Sequence, residues 1–178
     1  KGARQIGKTA SIMQFATENY KNVIAINFVL QKKYKAIFDD SYEVENIVRN
    51  ITLIDPSLNF EAGNTLIFFD ELQDCPACAT SLKAFCIDGR FDVICSGSLM
   101  GINYREIESN SVGYKQDYTM HSMDFEEFLW AKGYGSTFIE HLYNKMCSIT
   151  PLSNLEMETL GEIFREYMTI GGMPAVVN

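Results

Sequence analysis

Residues 2–9 read Gly-Ala-Arg-Gln-Ile-Gly-Lys-Thr, the G-x-x-x-x-G-K-[ST] spacing of a phosphate-binding loop. Each residue type has its own task. Gly2 and Gly7 allow backbone conformations and close approach that a side chain would block. The amides of Ala3, Arg4, Gln5, Ile6, Gly7, Lys8, Thr9 and Ala10 can then curl around a β-phosphate, with the positive end of the following helix aimed at the same oxygens. Lys8 can reach the β- and γ-phosphates, and the Thr9 hydroxyl can bind Mg²⁺. A Gly-rich turn that merely precedes a helix is the bland alternative.

A second group follows the apolar run Thr65-Leu-Ile-Phe-Phe. Asp70 stands at its end, where the carboxyl ends of parallel strands bind ligands. It can hold Mg²⁺ beside Thr9, through water. Glu71 can act as base or orienter for an attacking water. An Asp-Glu pair after an apolar run can also simply cap a helix. In the third piece, Ser96-Gly97-Ser98 ends another apolar run, and Ser96 is nearest the strand end. Its hydroxyl can sit between a γ-phosphate and the attacking water; an ordinary strand-end turn is the alternative.

These side chains need elements to hold them. Ile12, Met13, Phe15 and Ala16 recur at helical spacing, predicting a helix from Lys8 to about Tyr20. Residues 22–28, 65–69 and 91–95 are short apolar runs that read as buried parallel strands. The run ending at Asp70 is expected to lie directly beside the strand that leads into the loop. Only Lys1 precedes Gly2, so the first strand is expected to be missing from this sequence, the chain being part of a longer protein. Gln31–Phe38 reads as a short helix. Asp40 and Glu43 suggest a capping box for a helix lined by Val44, Ile47, Val48 and Ile51. Leu82, Phe85 and Cys86 predict a helix over 78–87. Residues 101–113 carry no period and read as a mobile loop, and 114–121 alternate like a fourth strand. Beyond Met123 the pattern is helical, with a capping box at Asp124 and Glu127 and two further helices split by Thr150-Pro151. The last of these carries Leu160, Ile163, Phe164, Tyr167 and Met168 and stops at Gly171-Gly172. Helix and strand alternate up to residue 121, which predicts an α/β fold with a parallel sheet flanked by helices, followed by a small all-helical subdomain.

The 178 residues carry a net charge of −8, which weighs against a broad nucleic-acid footprint. No apolar run approaches a membrane span. Of five cysteines, Cys75 and Cys78 form C-P-A-C without the second pair that a structural zinc site needs. Reduced thiols in a cytoplasmic protein are expected.

The order of these pieces resembles the predicted prokaryotic ATPases of the AAA+ and STAND type, P-loop NTPases in which an ATP-binding domain is joined to a C-terminal domain of unknown function. The resemblance rests on the loop at 2–9 and on Thr-Leu-Ile-Phe-Phe-Asp-Glu-Leu-Gln at 65–73. Ser-Leu-Lys-Ala-Phe at 81–85, Val-Ile-Cys-Ser-Gly-Ser-Leu-Met-Gly at 93–101, Met-Asp-Phe-Glu-Glu-Phe-Leu-Trp at 123–130 and Phe-Arg-Glu-Tyr-Met-Thr-Ile-Gly-Gly-Met-Pro at 164–174 continue it. His121-Ser122 stands where the family usually has a Pro. The resemblance implies Mg-ATP bound by the loop, with Asp70 on the metal and Glu71 as catalytic carboxylate, in a core over 1–121 and a helical lid over 122–178. It also implies that Pro174 lies near the adenine, although Gly then Pro equally reads as a helix stop. Arg4 is expected to anchor the loop to a carboxylate. Arg90, Arg105 and Arg165 are arginine-finger candidates by type alone. ATP hydrolysis coupled to lid movement is the first function this suggests. A switch in which nucleotide occupancy controls a protein partner is the second. The partner and any homo-oligomer are left open.

Overall fold

The structure, a computed structural model, describes residues 1–97 and 113–177. Residues 101–112 of the loop expected over 101–113, together with Ser98, lie outside the described residues, and so does Arg105. Two compact units are formed: Lys1–Gly2 with Lys8–Thr119, and Ala3–Gly7 with the residues from Met120 onward.

In the first unit, helix α1 (Lys8–Asn19) is followed by strand β1 (Asn22–Asn27), a 3₁₀ helix (Lys32–Phe38), α2 (Val44–Ile54), β2 (Thr65–Asp70), α3 (Pro76–Asp88) and β3 (Asp92–Cys95). The strands form a parallel sheet in the order β1-β2-β3, with Asn27 level with Asp70 and Phe69 level with Cys95. The fold is α/β. Every residue of β2 is buried, as its unbroken apolar run requires of a strand covered on both faces. Ile24, Ile26, Phe28, Ile67 and Phe69 point to one face, where they pack with the 3₁₀ helix, α2 and Phe85 of α3. Phe69 is the hub, stacked on Phe28 at 5.7 Å and edge-on to Phe38 and Phe85. Burying one such ring contributes roughly 1.5–3 kcal/mol. The packing fixes the strand whose last residue is Asp70.

Three expectations are corrected here. Both edges of β2 are occupied, by β1 and β3, so β2 is not directly beside a strand leading into the loop. The residues near 114–121 form no fourth strand: Met120 makes a single bridge, and 113–119 are all exposed, so their alternation has no buried face to fix a register. Asp40 and Glu43 form no capping box, because α2 starts one residue after Glu43, which caps it without a side-chain bond. The region 32–38 is helical but wound as 3₁₀.

The second unit contains α4 (Phe125–Ala131), α5 (Ser136–Cys147), α6 (Asn154–Ile170) and a short α7 (Pro174–Val177). The capping box at Asp124 and Glu127 is present, and Ser153 with Glu156 makes another at the start of α6. Phe125 and Phe128 of α4 pack on Phe164 and Tyr167 of α6 with ring centroids 5.1–5.6 Å apart. Glu156 binds α5 through Lys145 Nζ at 2.6 Å and His141 Nε2 at 2.7 Å. No residue of α6 is fully buried, and Met168 of its expected apolar face is exposed. Gly172 closes the unit: Met123 N–H donates to its carbonyl at 2.8 Å, and a Cβ there would lie 2.0 Å from Met123 O.

Candidate functional site

Gln5 (φ 63°) and Gly7 (φ 89°) both take left-handed conformations on either side of Ile6, whose buried side chain pins the loop. Gly2 is buried, whereas Ala3, Arg4 and Gln5 are exposed. Lys8 opens α1, and its Nζ donates to the Gly2 carbonyl at 3.2 Å. Thr9 and Ala10 follow in the first turn, which holds no acidic side chain to repel an anion. Arg4 makes no ion pair with a carboxylate among the described residues, so the anchoring expected of it is not found there.

Asp70 is the node of the site. Its Oδ2 accepts from Thr9 Oγ1 at 3.2 Å and from Asn27 Nδ2 at 3.1 Å. Its Oδ1 accepts from the Glu71 amide at 3.0 Å and from the Ser96 hydroxyl. The carboxylate is only 8 % exposed and Ser96 4 %, so these four donors replace the water that both groups lose on burial. Each donor comes from a different part of the chain. Thr9 sits in the first turn of α1, Asn27 and Ser96 at the ends of the two strands flanking β2, and Glu71 just beyond β2. The sequence singles out Thr9, Asp70, Glu71 and Ser96, and the structure brings them together. In this structure the Ser96 hydroxyl faces the Asp70 carboxylate.

Glu71 leaves the strand in a left-handed conformation (φ 58°, ψ 50°), followed by a 3₁₀ turn over Leu72–Asp74. The turn is tied down by Leu72 N–H to Ser96 O at 2.9 Å and by Asp74 N–H to Glu71 O at 2.9 Å. It swings Gln73 back, so that Gln73 Nε2 donates to Glu71 Oε2.

The hard oxygen pair of Thr9 Oγ1 and Asp70 Oδ2, 3.2 Å apart, suits Mg²⁺, which takes one or two protein oxygens and completes its shell with water and phosphate. Within the second unit, Pro174 begins α7, and its Cγ would lie 3.7 Å from a Cβ built on Gly7. Arg90 is engaged in ion pairs with Asp88 and Glu45. Cys75 and Cys78 are buried and unbridged, and burial pushes both thiols up, Cys78 well above its ordinary range.

Sequence reasoning missed two residues. Asn27 is polar at the end of an apolar strand, and its register opposite Asp70 becomes visible only once β1 and β2 pair. Its Oδ1 accepts from the amides of Val29 and Leu30, both at 3.0 Å, which fixes the amide toward Asp70. Gln73, two residues beyond Glu71, would point along the same strand face were the chain extended; the left-handed kink creates the contact.

A parallel three-stranded α/β sheet flanked by helices, preceded by a glycine loop that opens a helix beside a strand-end carboxylate, defines a P-loop NTPase-like domain. A model of the AAA domain family matches residues 1–129, and the chain belongs to that family. Membership makes it a nucleotide-binding, ATPase-like domain. Comparison with curated proteins returned no match. No helix among the described residues is long and apolar enough to cross a membrane.

Proposed function

We propose that this domain binds Mg-ATP and hydrolyses it to ADP and phosphate. The observation that carries the reading is the Thr9 Oγ1–Asp70 Oδ2 contact at 3.2 Å, which sets the first turn of α1 against the end of β2. In this reading the amides of 2–10 and Lys8 bind the phosphates, and Thr9 and Asp70 hold the metal. Mg²⁺, when bound, neutralises charge on the β- and γ-phosphate oxygens. Glu71 accepts a proton from the attacking water as its oxygen bonds to the γ-phosphorus. The β–γ bridging bond breaks, and its electron pair leaves on ADP. Ser96 holds the Asp70 carboxylate in the orientation that the metal needs.

A second reading, an occupancy switch of the STAND type, is favoured by one observation. Residues 3–7 group with the helical unit, and Pro174 lies against Gly7. In this reading nucleotide occupancy, rather than turnover, controls a protein partner.

The test is nucleotide binding by titration calorimetry with phosphate release on the same samples. Lys8→Ala should abolish ATP binding. Glu71→Gln should bind ATP like the wild type and lose turnover, about 10²-fold or more for removal of a general base. Equal binding by wild type and Lys8→Ala would end the phosphate-loop reading. A slow rate with tightly held ADP would favour the switch.

A further inference from the structure

Gln73 combines two features. Its Nε2 donates to Glu71 Oε2, while its own Oε1 is buried with no hydrogen-bond partner among the described residues. A buried acceptor without a donor is unfavourable, and a side chain chosen for stability would not carry one. Glu71 itself stands in the left-handed region, which a β-carbon disfavours. Both unfavourable features would vanish if residue 71 relaxed to an extended conformation and residue 73 were apolar. They coincide on the carboxylate assigned to water activation, which is where local strain tends to accumulate for function.

We propose that Gln73 is a positioning residue for Glu71, an inference that rests on the hydrolytic role given above to that carboxylate. The amide fixes one carboxylate oxygen, Oε2, and leaves Oε1 as the oxygen that meets water. The arrangement is directional. An amide turned the other way would set its oxygen against the carboxylate, so the charge on Glu71 holds the amide just as the amide holds Glu71. The 3₁₀ turn, closed by Cys75 N–H to Leu72 O at 3.0 Å and followed by Pro76 at the start of α3, keeps the two side chains at this separation.

The decisive variant is Gln73→Met, which keeps the length and volume of the side chain and removes both the donor and the orphaned acceptor. Steady-state ATPase kinetics, ATP binding and thermal melting are measured on wild type, Gln73→Met, Gln73→Glu and Glu71→Gln. The expected result for Gln73→Met is a kcat lower by about tenfold to a hundredfold, the range for a misplaced reacting group. KM for ATP should stay within about twofold, and the melting temperature should be equal to or above the wild type's. Gln73→Glu, which sets a second carboxylate against Glu71, should lose at least as much kcat. A kcat for Gln73→Met equal to the wild type's overturns the positioning role alone. So does a loss of stability with KM and kcat worsening together, since that marks a packing residue. A wild type that binds Mg-ATP without turnover, or a Glu71→Gln variant with full turnover, overturns the role of Glu71 and this inference with it.

Discussion

Asp70→Asn tests the geometry of the site without any nucleotide present. The carboxylate accepts from four donors, two on each oxygen. An amide offers one oxygen and one NH₂. The hydroxyls of Thr9 and Ser96 can rotate and become acceptors. Neither of the other two donors can adapt. The Asn27 amide is held by its bonds from Val29 and Leu30, and the Glu71 N–H belongs to the backbone. Whichever way the new amide turns, one N–H faces another and is left unsatisfied in a nearly closed environment. That costs about 1–3 kcal/mol, on top of the change from charge-assisted to neutral bonds. For a chain of this length, about 2 kcal/mol corresponds to a fall of roughly 4–8 °C in melting temperature. Adding Asn27→Asp should reverse much of the loss. The new carboxylate accepts from the new amide at the former Oδ2 side and still accepts from the Val29 and Leu30 amides, while Asn27→Asp alone sets two carboxylates face to face. The assay is far-UV circular dichroism melting of wild type, both single variants and the double variant at fixed protein concentration. A favourable coupling of at least about 1 kcal/mol is expected. Singles whose effects simply add would refute the four-donor arrangement. The double variant should still lack Mg-dependent nucleotide binding, because the carboxylate has moved off β2.

Two further outcomes concern the helical unit. Gly172→Ala places a Cβ 2.0 Å from the Met123 carbonyl oxygen, which also accepts from Tyr167 Oη at 3.0 Å, so the backbone pairing with Met123 must open; a loss of about 1–3 kcal/mol is expected by chemical denaturation, and a change under about 0.5 kcal/mol would contradict the packing. The Glu156 carboxyl is held well below its ordinary value of 4.5, first by Lys145 and then by the Ser153 amide and His141. Being depressed in the folded state, it contributes stability that is complete above about pH 4.5 and is lost as the pH falls through the folded value. The stability difference between wild type and Glu156→Gln should therefore shrink on acidification through that window, and a difference that grew in acid would have the wrong sign.

Several features were legible from residue order alone because they depend on short-range rules. The 2–9 spacing names the loop. Unbroken apolar runs mark strands buried on both faces, and Asp124 with Glu127 announces a helix start. Asp70 and Glu71 were visible as charges abruptly ending an apolar run. Neighbour relations were not legible, since nothing in a parallel strand's sequence says which strand pairs with it. The order β1-β2-β3 denied β2 the neighbour expected of it, and the same pairing set Asn27 beside Asp70. The alternation over 114–121 misled because periodicity predicts a strand only where a partner buries one face, and none does so among the described residues. Residue types and their spacing thus determined which groups could handle a phosphate. Tertiary structure alone decided which of them share a carboxylate and which side chain steadies Glu71, because a kinked backbone and long-range strand pairing bring together atoms that no local pattern connects.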